Sequence, residues 1–425
     1  MIHLQCPYGK EYMEADLPRE RVKAVLTSAL ESYRPDADAE TLVRCALENP
    51  VGSLPLRELS RGKRRVTVIA SDHTRPVPSR LLMPLLLQEI RAGNPEAEIT
   101  ILIATGCHRE TTREELVAKF GEEIVAQEKI VIHDCDDTAN MVLLGTLPSG
   151  GECWVNRLAC EADLLVSEGF IEPHFFAGYS GSRKAVLPGV AGRSTVLANH
   201  CAEFIDHPAS RAGSLKENPI HRDMVWAARK AGLAFILNVV LNGEKETIHA
   251  VAGDMEAAHE AGCAFLEGLC GVKAAMADIV ITTNGGYPLD QNIYQAVKGM
   301  TAAEATVREG GVIIMLAKSN DGHGGAAFCR ELMAGDDMDA LMADILRRGR
   351  GETLPDQWQA QIMIRILQRA QVVYISDAED ELVRQLHMTP AHSLEEALKL
   401  AEQLLEKPNA SITAIPDGVG VIVCG

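Results

Sequence analysis

The sequence predicts an α/β protein of two domains, each with a mostly parallel sheet flanked by helices. Short apolar runs rich in β-branched residues recur along the chain, and amphipathic helical stretches lie between many of them. The chain is 425 residues long, about two to three times a single-domain length.

The runs, in order, are VTVIA (66–70), ITILIA (99–104), KIVIH (129–133), DLLVS (163–167), FILNVVL (235–241), DIVITT (278–283), VIIML (312–316), VVYIS (372–376) and VGVIVC (419–424). Strands that are apolar almost throughout belong in a parallel sheet covered on both faces. RLLMPLLLQEIRAG (80–93), NPIHRDMVWAARKAG (218–232) and LEEALKLAEQLLEK (394–407) carry the helical period and supply that cover. Counting to Leu241 gives one doubly wound domain, and a second group begins near Asp278, with GLCGVKAAMA (268–277) as the crossover. The expected division is an N-terminal domain over 1–272 that carries the cofactor and acid/base residues, and a C-terminal domain over 273–392. The segment 393–425 is left free to pack back on the first domain.

Composition excludes several classes of function. Hydrophobic residues make up 47% and charged residues 24%, the balance of a folded globular chain. The 41 Lys plus Arg against 59 Asp plus Glu give a net charge of -18 with no basic stripe, so nucleic acid and anionic membrane are poor partners. No window reaches the roughly 18 apolar residues of a membrane span, and the opening MIHLQCPYGKEYMEADLPRE lacks the pattern of a secretion signal, so a cytoplasmic location is expected. The 11 cysteines are scattered and contain no C-x-x-C pair, which reads as free thiols. Cys107 and Cys201 stand beside histidines.

Polar segments follow the strands: SDHTRPVP (71–78), GCHRETT (106–112), EGFIEPHFFAGYSGSRK (168–184) and NGGYPLDQNIYQAVKG (284–299). Ligands of open α/β sheets bind outside the carboxyl ends of the strands, so these segments are where chemistry is sought. His73, His108, His174 and His200 fall in or beside such loops; imidazole serves as acid, base or metal ligand, although any one of them is equally a surface or capping residue. Lys184 is a candidate nucleophile if desolvated. The glycines around it match neither phosphate-binding spacing, and an ordinary loop is the competing reading. Tyr294 and Lys298 are four apart and share a helix face with Gln295 beside them, a solvated face being the alternative. Asp290, Asp321 and His323 read as a solvated turn, and Arg75 as either a turn residue or an anion contact.

DHTRPVP (72–78), ATGCHRE (104–110), EPHFFAGYSGSRKAVLPGVAG (172–192) with NH (199–200), and YQAVKG (294–299) resemble the nickel-pincer lactate racemase family. The resemblance runs in order over nearly the whole chain. It implies a two-domain enzyme with its active site in the interdomain cleft, and a pyridinium mononucleotide whose sulfur-bearing arms hold nickel and attach covalently to Lys184. Carried over by motif position, it makes His200 the protein ligand of nickel, and His108 and His174 the acid/base pair. Arg75, Gln295 and Lys298 orient the substrate, Asp72 and Tyr294 line the cofactor, and Trp358 forms an apolar wall. Cys107, Tyr179 and Ser182 stand at positions that vary within the family.

The implied reaction inverts C2 of a small 2-hydroxycarboxylate by reversible hydride transfer, with cofactor maturation proteins as partners. Three alternatives stay open: a protein that stores the cofactor without turnover, a metal-dependent hydrolase, and a pyridoxal phosphate racemase. The hydrolase lacks a closely spaced ligand set such as H-E-x-x-H, and the pyridoxal enzyme lacks its phosphate pattern.

Overall fold

The computed structural model describes residues 1–30 and 32–424. The chain forms two compact units, the first comprising Leu30–His200 and His207–Leu269, the second comprising Met1–Ala29, Cys201–Asp206 and the chain from Cys270 on.

The first unit is built on a six-stranded sheet in the order Thr247–Gly253, Leu233–Leu241, Leu164–Phe170, Arg65–Ser71, Glu98–Ala104, Lys129–Ile132. All neighbours are parallel except the Leu233–Leu241 and Thr247–Gly253 pair. One face alternates Val66, Val68 and Ala70 with Ile99, Ile101 and Ile103, and packs against Leu82, Met83, Leu86 and Ile90 of the Ser79–Gly93 helix. Each such side chain fully withdrawn from water contributes about 1.5–3 kcal/mol. From Arg65–Ser71 the chain moves outward to Lys129–Ile132 and then returns to the opposite side at Leu164–Phe170. The order therefore reverses between Arg65–Ser71 and Leu164–Phe170. Loops leaving two such strands diverge and open a crevice at their carboxyl ends.

The second unit has a six-stranded, all-parallel sheet in the order Thr389–Ala391, Ala370–Ile375, Val307–Leu316, Ala277–Thr283, Ile412–Ile415, Val22–Val25. Ile279, Ile281, Ile314 and Val373 pack with Leu394, Ala397 and Ala401 of the Leu394–Leu404 helix. The antiparallel hairpin Ile2–Tyr8 with Glu11–Leu17 adds Leu4, Cys6 and Leu17 to that core.

The chain divides differently from expectation at both ends. Residues 1–29 belong to the second unit, not the first, because Val22–Val25 pairs with Ile412–Ile415 and the hairpin buries its inner face on the same sheet. The segment 393–425 stays in the second unit, with Ile412–Ile415 inserted between Ala277–Thr283 and Val22–Val25. The run expected as a strand at 419–424 shortens to Ile422–Cys424, which pairs with Gly271–Lys273 outside the main sheet. Continuous apolar runs do not mark these segments: the hairpin alternates buried with exposed residues, and Val22–Val25 is an edge strand. Among the described residues no helix is long and apolar enough to cross a membrane.

Deleting residues 1–25 removes the strand that covers one edge of Ile412–Ile415. Amide hydrogen exchange of the truncated protein is expected to rise at Ile412–Ile415 and Ala277–Thr283 while Arg65–Ser71 stays protected. Faster exchange at Arg65–Ser71 instead would tie the segment to the first unit.

Candidate active site

The strand Arg65–Ser71 runs directly into Asp72, whose carboxylate is buried at the sheet end. Its Oδ1 accepts from the Thr74 backbone N–H at 3.2 Å and from the Thr74 hydroxyl at 2.7 Å. Its Oδ2 accepts from Nδ1 of His108, 2.7 Å away on the loop after Glu98–Ala104. Burial alone raises the Asp72 pKa, but the hydrogen bonds from His108 and Thr74, with the nearby charges of His108 and Arg75, hold it below the usual carboxylate range. The ionised carboxylate fixes the Nδ1–H tautomer of His108 and leaves Nε2 as the acceptor. The His108 side chain is 46% exposed, so that nitrogen is accessible. Arg75, in the same loop, is exposed, and among the described residues its guanidinium takes part in no hydrogen bond or ion pair.

After Leu164–Phe170 the chain makes a short hairpin, Pro173–His174 against Gly178–Tyr179. Here Nδ1 of His174 accepts from the Ala177 N–H at 3.3 Å, which leaves the proton of the neutral ring on Nε2. The ring of Phe176 is the hub of the cluster. His174 meets it edge-on at 4.5 Å, His200 edge-on at 5.2 Å, and the Lys184 ammonium lies 5.9 Å from its centroid. His200 closes the Arg193–Asn199 helix, and its Nδ1 donates to the Val196 carbonyl at 3.0 Å, so the lone pair of the neutral ring is on Nε2. Burial, then the Lys184 charge, pushes its pKa down to about 3, so the ring is neutral, the state a metal ligand requires.

The loop is held from beneath by Arg183, which is fully buried. Its guanidinium donates to the carbonyls of Ala177 (2.9 Å), Ser180 (3.1 Å) and Gly181 (3.2 Å) and to His221 Nδ1 (3.0 Å), while His259, packed against it, donates from Nε2 to the same Ser180 carbonyl at 2.8 Å. Gly181, at φ +83°, has no room for a side chain: a Cβ would lie 2.7 Å from Asn238 Oδ1 and 3.0 Å from the Phe170 carbonyl. The two clusters share a backbone tie, Gly106 N–H to the Gly189 carbonyl at 2.9 Å.

In the second unit, Asn292 caps the Ile293–Glu304 helix by accepting from the Gln295 N–H. Tyr294, Gln295 and Lys298 are half-buried along this helix, while Ala296 and Val297 between them and Gly299 after them are buried. The Tyr294 hydroxyl donates to Asp356 at 3.0 Å and also bonds to Trp358; burial and the Asp356 charge raise its pKa. Two residues that the sequence reading named separately, Tyr294 and Trp358, are thus brought into contact.

Other candidates resolve differently. His73 bonds to Thr111 at 3.0 Å. Asp290 is not in a solvated turn: it is fully buried, and its Oδ2 accepts from the N–H groups of Gly9 and Lys318. His323 accepts from the Gly325 N–H in an exposed loop. Phe176 and Arg183, which organise the cluster, are not singled out by the sequence. Neither carries a recognisable spacing, although both stand inside the quoted HFFAGYSGSRK segment.

Residues 8–213 match the family model of the lactate racemase N-terminal domain, and residues 272–423 that of the lactate racemase C-terminal domain. The chain is 54% identical over 424 residues to a lactate racemase of Thermoanaerobacterium thermosaccharolyticum, covering 100% of this chain and 99% of that one. It is 52% identical to a lactate racemase of Lactiplantibacillus plantarum, covering 100% of both. The solved structure of the lactate racemase apoprotein from Thermoanaerobacterium thermosaccharolyticum superimposes with a TM-score of 0.96 at 53% identity over the full length of both chains. A Thermotoga maritima protein shares the fold at a TM-score of 0.61 and 19% identity, over 86% of this chain and 96% of that one.

The neutral state of His200 has a measurable cost in acid. Its pKa falls from 6.5 in an open chain to about 3 when folded, so the unfolded chain binds a proton that the folded one refuses. The associated stability is intact above about pH 6.5 and declines as pH falls toward 3, by about 2 kcal/mol at pH 5. The Tm of the apoprotein is expected to drop between pH 7 and pH 5, and to drop less in His200→Gln; equal slopes in the two proteins would refute the assignment.

Proposed function

Since the chain belongs to the lactate racemase family, we propose that lactate or another short 2-hydroxycarboxylate is its substrate, and that the Asp72 and Phe176 clusters carry out the inversion. The protein is an isomerase, a racemase. The single observation that carries the mechanistic reading is the complementary state of two imidazoles at the strand ends. In the neutral rings Asp72 leaves His108 Nε2 as a hydrogen-bond acceptor, and the Ala177 N–H leaves His174 Nε2–H as a donor.

Racemisation requires a base for the hydroxyl proton of one enantiomer and an acid for the oxygen of the other, because inversion at C2 moves that hydroxyl to a new direction. In one direction neutral His108 takes the proton at Nε2 while His174, as the imidazolium, returns one from Nε2; in the reverse direction neutral His174 takes the proton and the His108 imidazolium, stabilised by Asp72, returns it. An imidazole titrates close enough to neutrality to serve in both senses. Arg75 grips the substrate carboxylate with its planar fork, which the overall charge of -18 would otherwise repel. Lys298 and Gln295 bind the hydroxyl or keto oxygen, and Trp358, with its indole at the Tyr294 hydroxyl, walls off the substrate's apolar end.

The residues around Phe176 fit a nickel-pincer nucleotide. Lys184 is the amine that would hold it covalently, and His200 Nε2 is a neutral nitrogen donor with its other ring nitrogen tied down, as second-shell orientation of a metal ligand requires. One imidazole cannot retain nickel alone, so the remaining donors have to come with the group, as they do in a pincer. When bound, it supplies a reversible acceptor for the C2 hydride. A cofactor store would need Lys184 and His200 but no Asp72–His108 pair. A hydrolase would need a set of protein ligands, and the three-donor cluster found among the described residues, Asp134, Cys135 and Asp136, includes none of these histidines.

Enzyme produced with its maturation proteins is expected to carry a covalent nucleotide that intact-mass spectrometry detects and that Lys184→Ala lacks. An adduct persisting in that variant places the attachment elsewhere. With the loaded enzyme and single-enantiomer 2-hydroxy acids, His108→Gln and His174→Gln should each slow both directions by about 10²-fold or more. A variant that loses one direction only contradicts the shared roles.

Asp72→Asn keeps shape but no longer enforces the Nδ1–H tautomer, and a similar loss of turnover is expected with KM little changed. For Arg75→Lys, which retains charge without the fork, KM should rise; turnover of the neutral amide equal to that of the acid would show that the carboxylate is not what this pocket reads.

A further inference from the structure

We propose that Cys107 and Cys135 form an oxidisable dithiol, a covalent modification site that takes a hydroperoxide and, once closed to a disulfide, displaces His108. Its effect on turnover rests on the role given to His108 above; the site itself does not.

The two cysteines are distant in sequence but set side by side by the sheet. The strands Glu98–Ala104 and Lys129–Ile132 are parallel neighbours. Just past their ends the Thr105 hydroxyl donates to the His133 carbonyl at 2.6 Å, and the His133 N–H bonds back to the Ile103 carbonyl at 3.1 Å. Cys107 and Cys135 each lie two residues beyond that tie, and their thiols hydrogen-bond each other. Cys135 is buried and its thiol pKa is raised, first by the bond to Cys107 and then by burial, so it keeps its proton and donates. Cys107 is partly exposed and is the sulfur that an oxidant reaches first. The Arg193 guanidinium, which grips Asp136 through two 2.7 Å bonds, lies close enough to attract both sulfurs and favours a thiolate there.

The chemistry balances with the peroxide alone. The Cys107 thiolate attacks one peroxide oxygen, the O–O bond breaks, and the departing hydroxide takes up a proton as water, leaving a sulfenic acid. The Cys135 sulfur then attacks Cys107, the S–S bond forms, the S–O bond breaks, and the second water carries away the Cys135 proton. Two thiols lose two electrons in total, and the peroxide gains them.

Closure moves the active site. Sulfurs in hydrogen-bond contact must approach by on the order of 1–2 Å to reach a bond of about 2.05 Å. Cys135 is the fixed partner, since its carbonyl accepts the Arg193 N–H at 3.0 Å and its neighbour Asp136 is clamped by the Arg193 side chain. The displacement falls on the exposed turn of Cys107, and the next residue is His108. A shift of about 1 Å in a reacting group costs on the order of 10²-fold in rate.

The test begins with reduced apoprotein exposed to a small excess of hydrogen peroxide, alkylated, digested without reductant and mapped by mass spectrometry. A Cys107–Cys135 crosslinked peptide is expected in the wild type and none in Cys135→Ser. Cofactor-loaded wild type treated in the same way should lose turnover by about 10²-fold and recover it with dithiothreitol. Cys135→Ser should start with normal turnover and keep most of it through the same peroxide treatment, since the disulfide that displaces His108 cannot close. Oxidation confined to the exposed Cys45 and Cys424, with the 107–135 pair still reduced, would overturn the site. A crosslink that leaves turnover unchanged would overturn its coupling to His108. The peptide map on apoprotein stands whatever becomes of the racemase mechanism, so the two readings fail separately.

Discussion

The site depends on a buried guanidinium. Arg183 keeps its charge even though burial pushes its pKa down to about 10, and among the described residues no carboxylate pairs with it. Burying an unpaired ion costs several kcal/mol unless its hydrogen-bonding groups are satisfied. Three loop carbonyls and the His221 imidazole meet that demand. Bringing the carbonyls of Ala177, Ser180 and Gly181 to one centre curls the chain tightly, which is why Gly178 and Gly181 stand at positive φ with backbone pressed against them. The curl in turn sets Phe176 on one side and Lys184 on the other. Hub ring and amine therefore share a single cause.

The same cation shapes the titration of its surroundings. His221 is pushed down to about 3 and His259 well below its ordinary value, each by burial first and the Arg183 charge second. His200 responds likewise to burial and to Lys184. Three imidazoles are thereby kept neutral at pH 7: His221 as an acceptor for Arg183, His259 as a donor to the Ser180 carbonyl, and His200 as a potential donor to a metal. The positive charge of the loop stays on Arg183 and Lys184, a local reversal within a chain of net charge -18.

Much of this was legible in the sequence where one residue type at a strand end carries the meaning. The continuous apolar runs predicted the central strands, and the histidines and the lysine stand in the loops that follow them. What remained hidden were pairings across sequence. Asp72 and His108 are 36 residues apart, and only the register of two parallel strands makes them neighbours. Cys107 meets Cys135 through the next pair in the same sheet. Phe176 reads as an apolar residue among others until His174, His200 and Lys184 are found around its ring. The N-terminal strand was missed for a different reason: edge strands are half-exposed, and their alternation dilutes the apolar signal.

Two carboxyl groups near the reversal of strand order show how the scaffold separates rigidity from reactivity. Asp72 is held ionised by His108 and Thr74, whereas burial raises the pKa of Glu168 against the attraction of Lys119 and the hydrogen bond from Ser79. Glu168 occupies a core position, in the alternating row Leu164, Val166, Phe170 that faces the Ser79–Gly93 helix, and it receives the Ser79 hydroxyl at 2.5 Å. Lys119, drawn electrostatically by both carboxylates, donates to the Arg75 backbone carbonyl at 3.3 Å. The Asp72–Pro78 loop is thus fixed at its start by Thr74, at its middle by Lys119 and at its end by Ser79. On the loop itself these ties engage only backbone groups and short side chains. None uses the Arg75 guanidinium, so the loop is rigid while the group that would meet an anionic substrate stays available, the arrangement that preorganised binding requires.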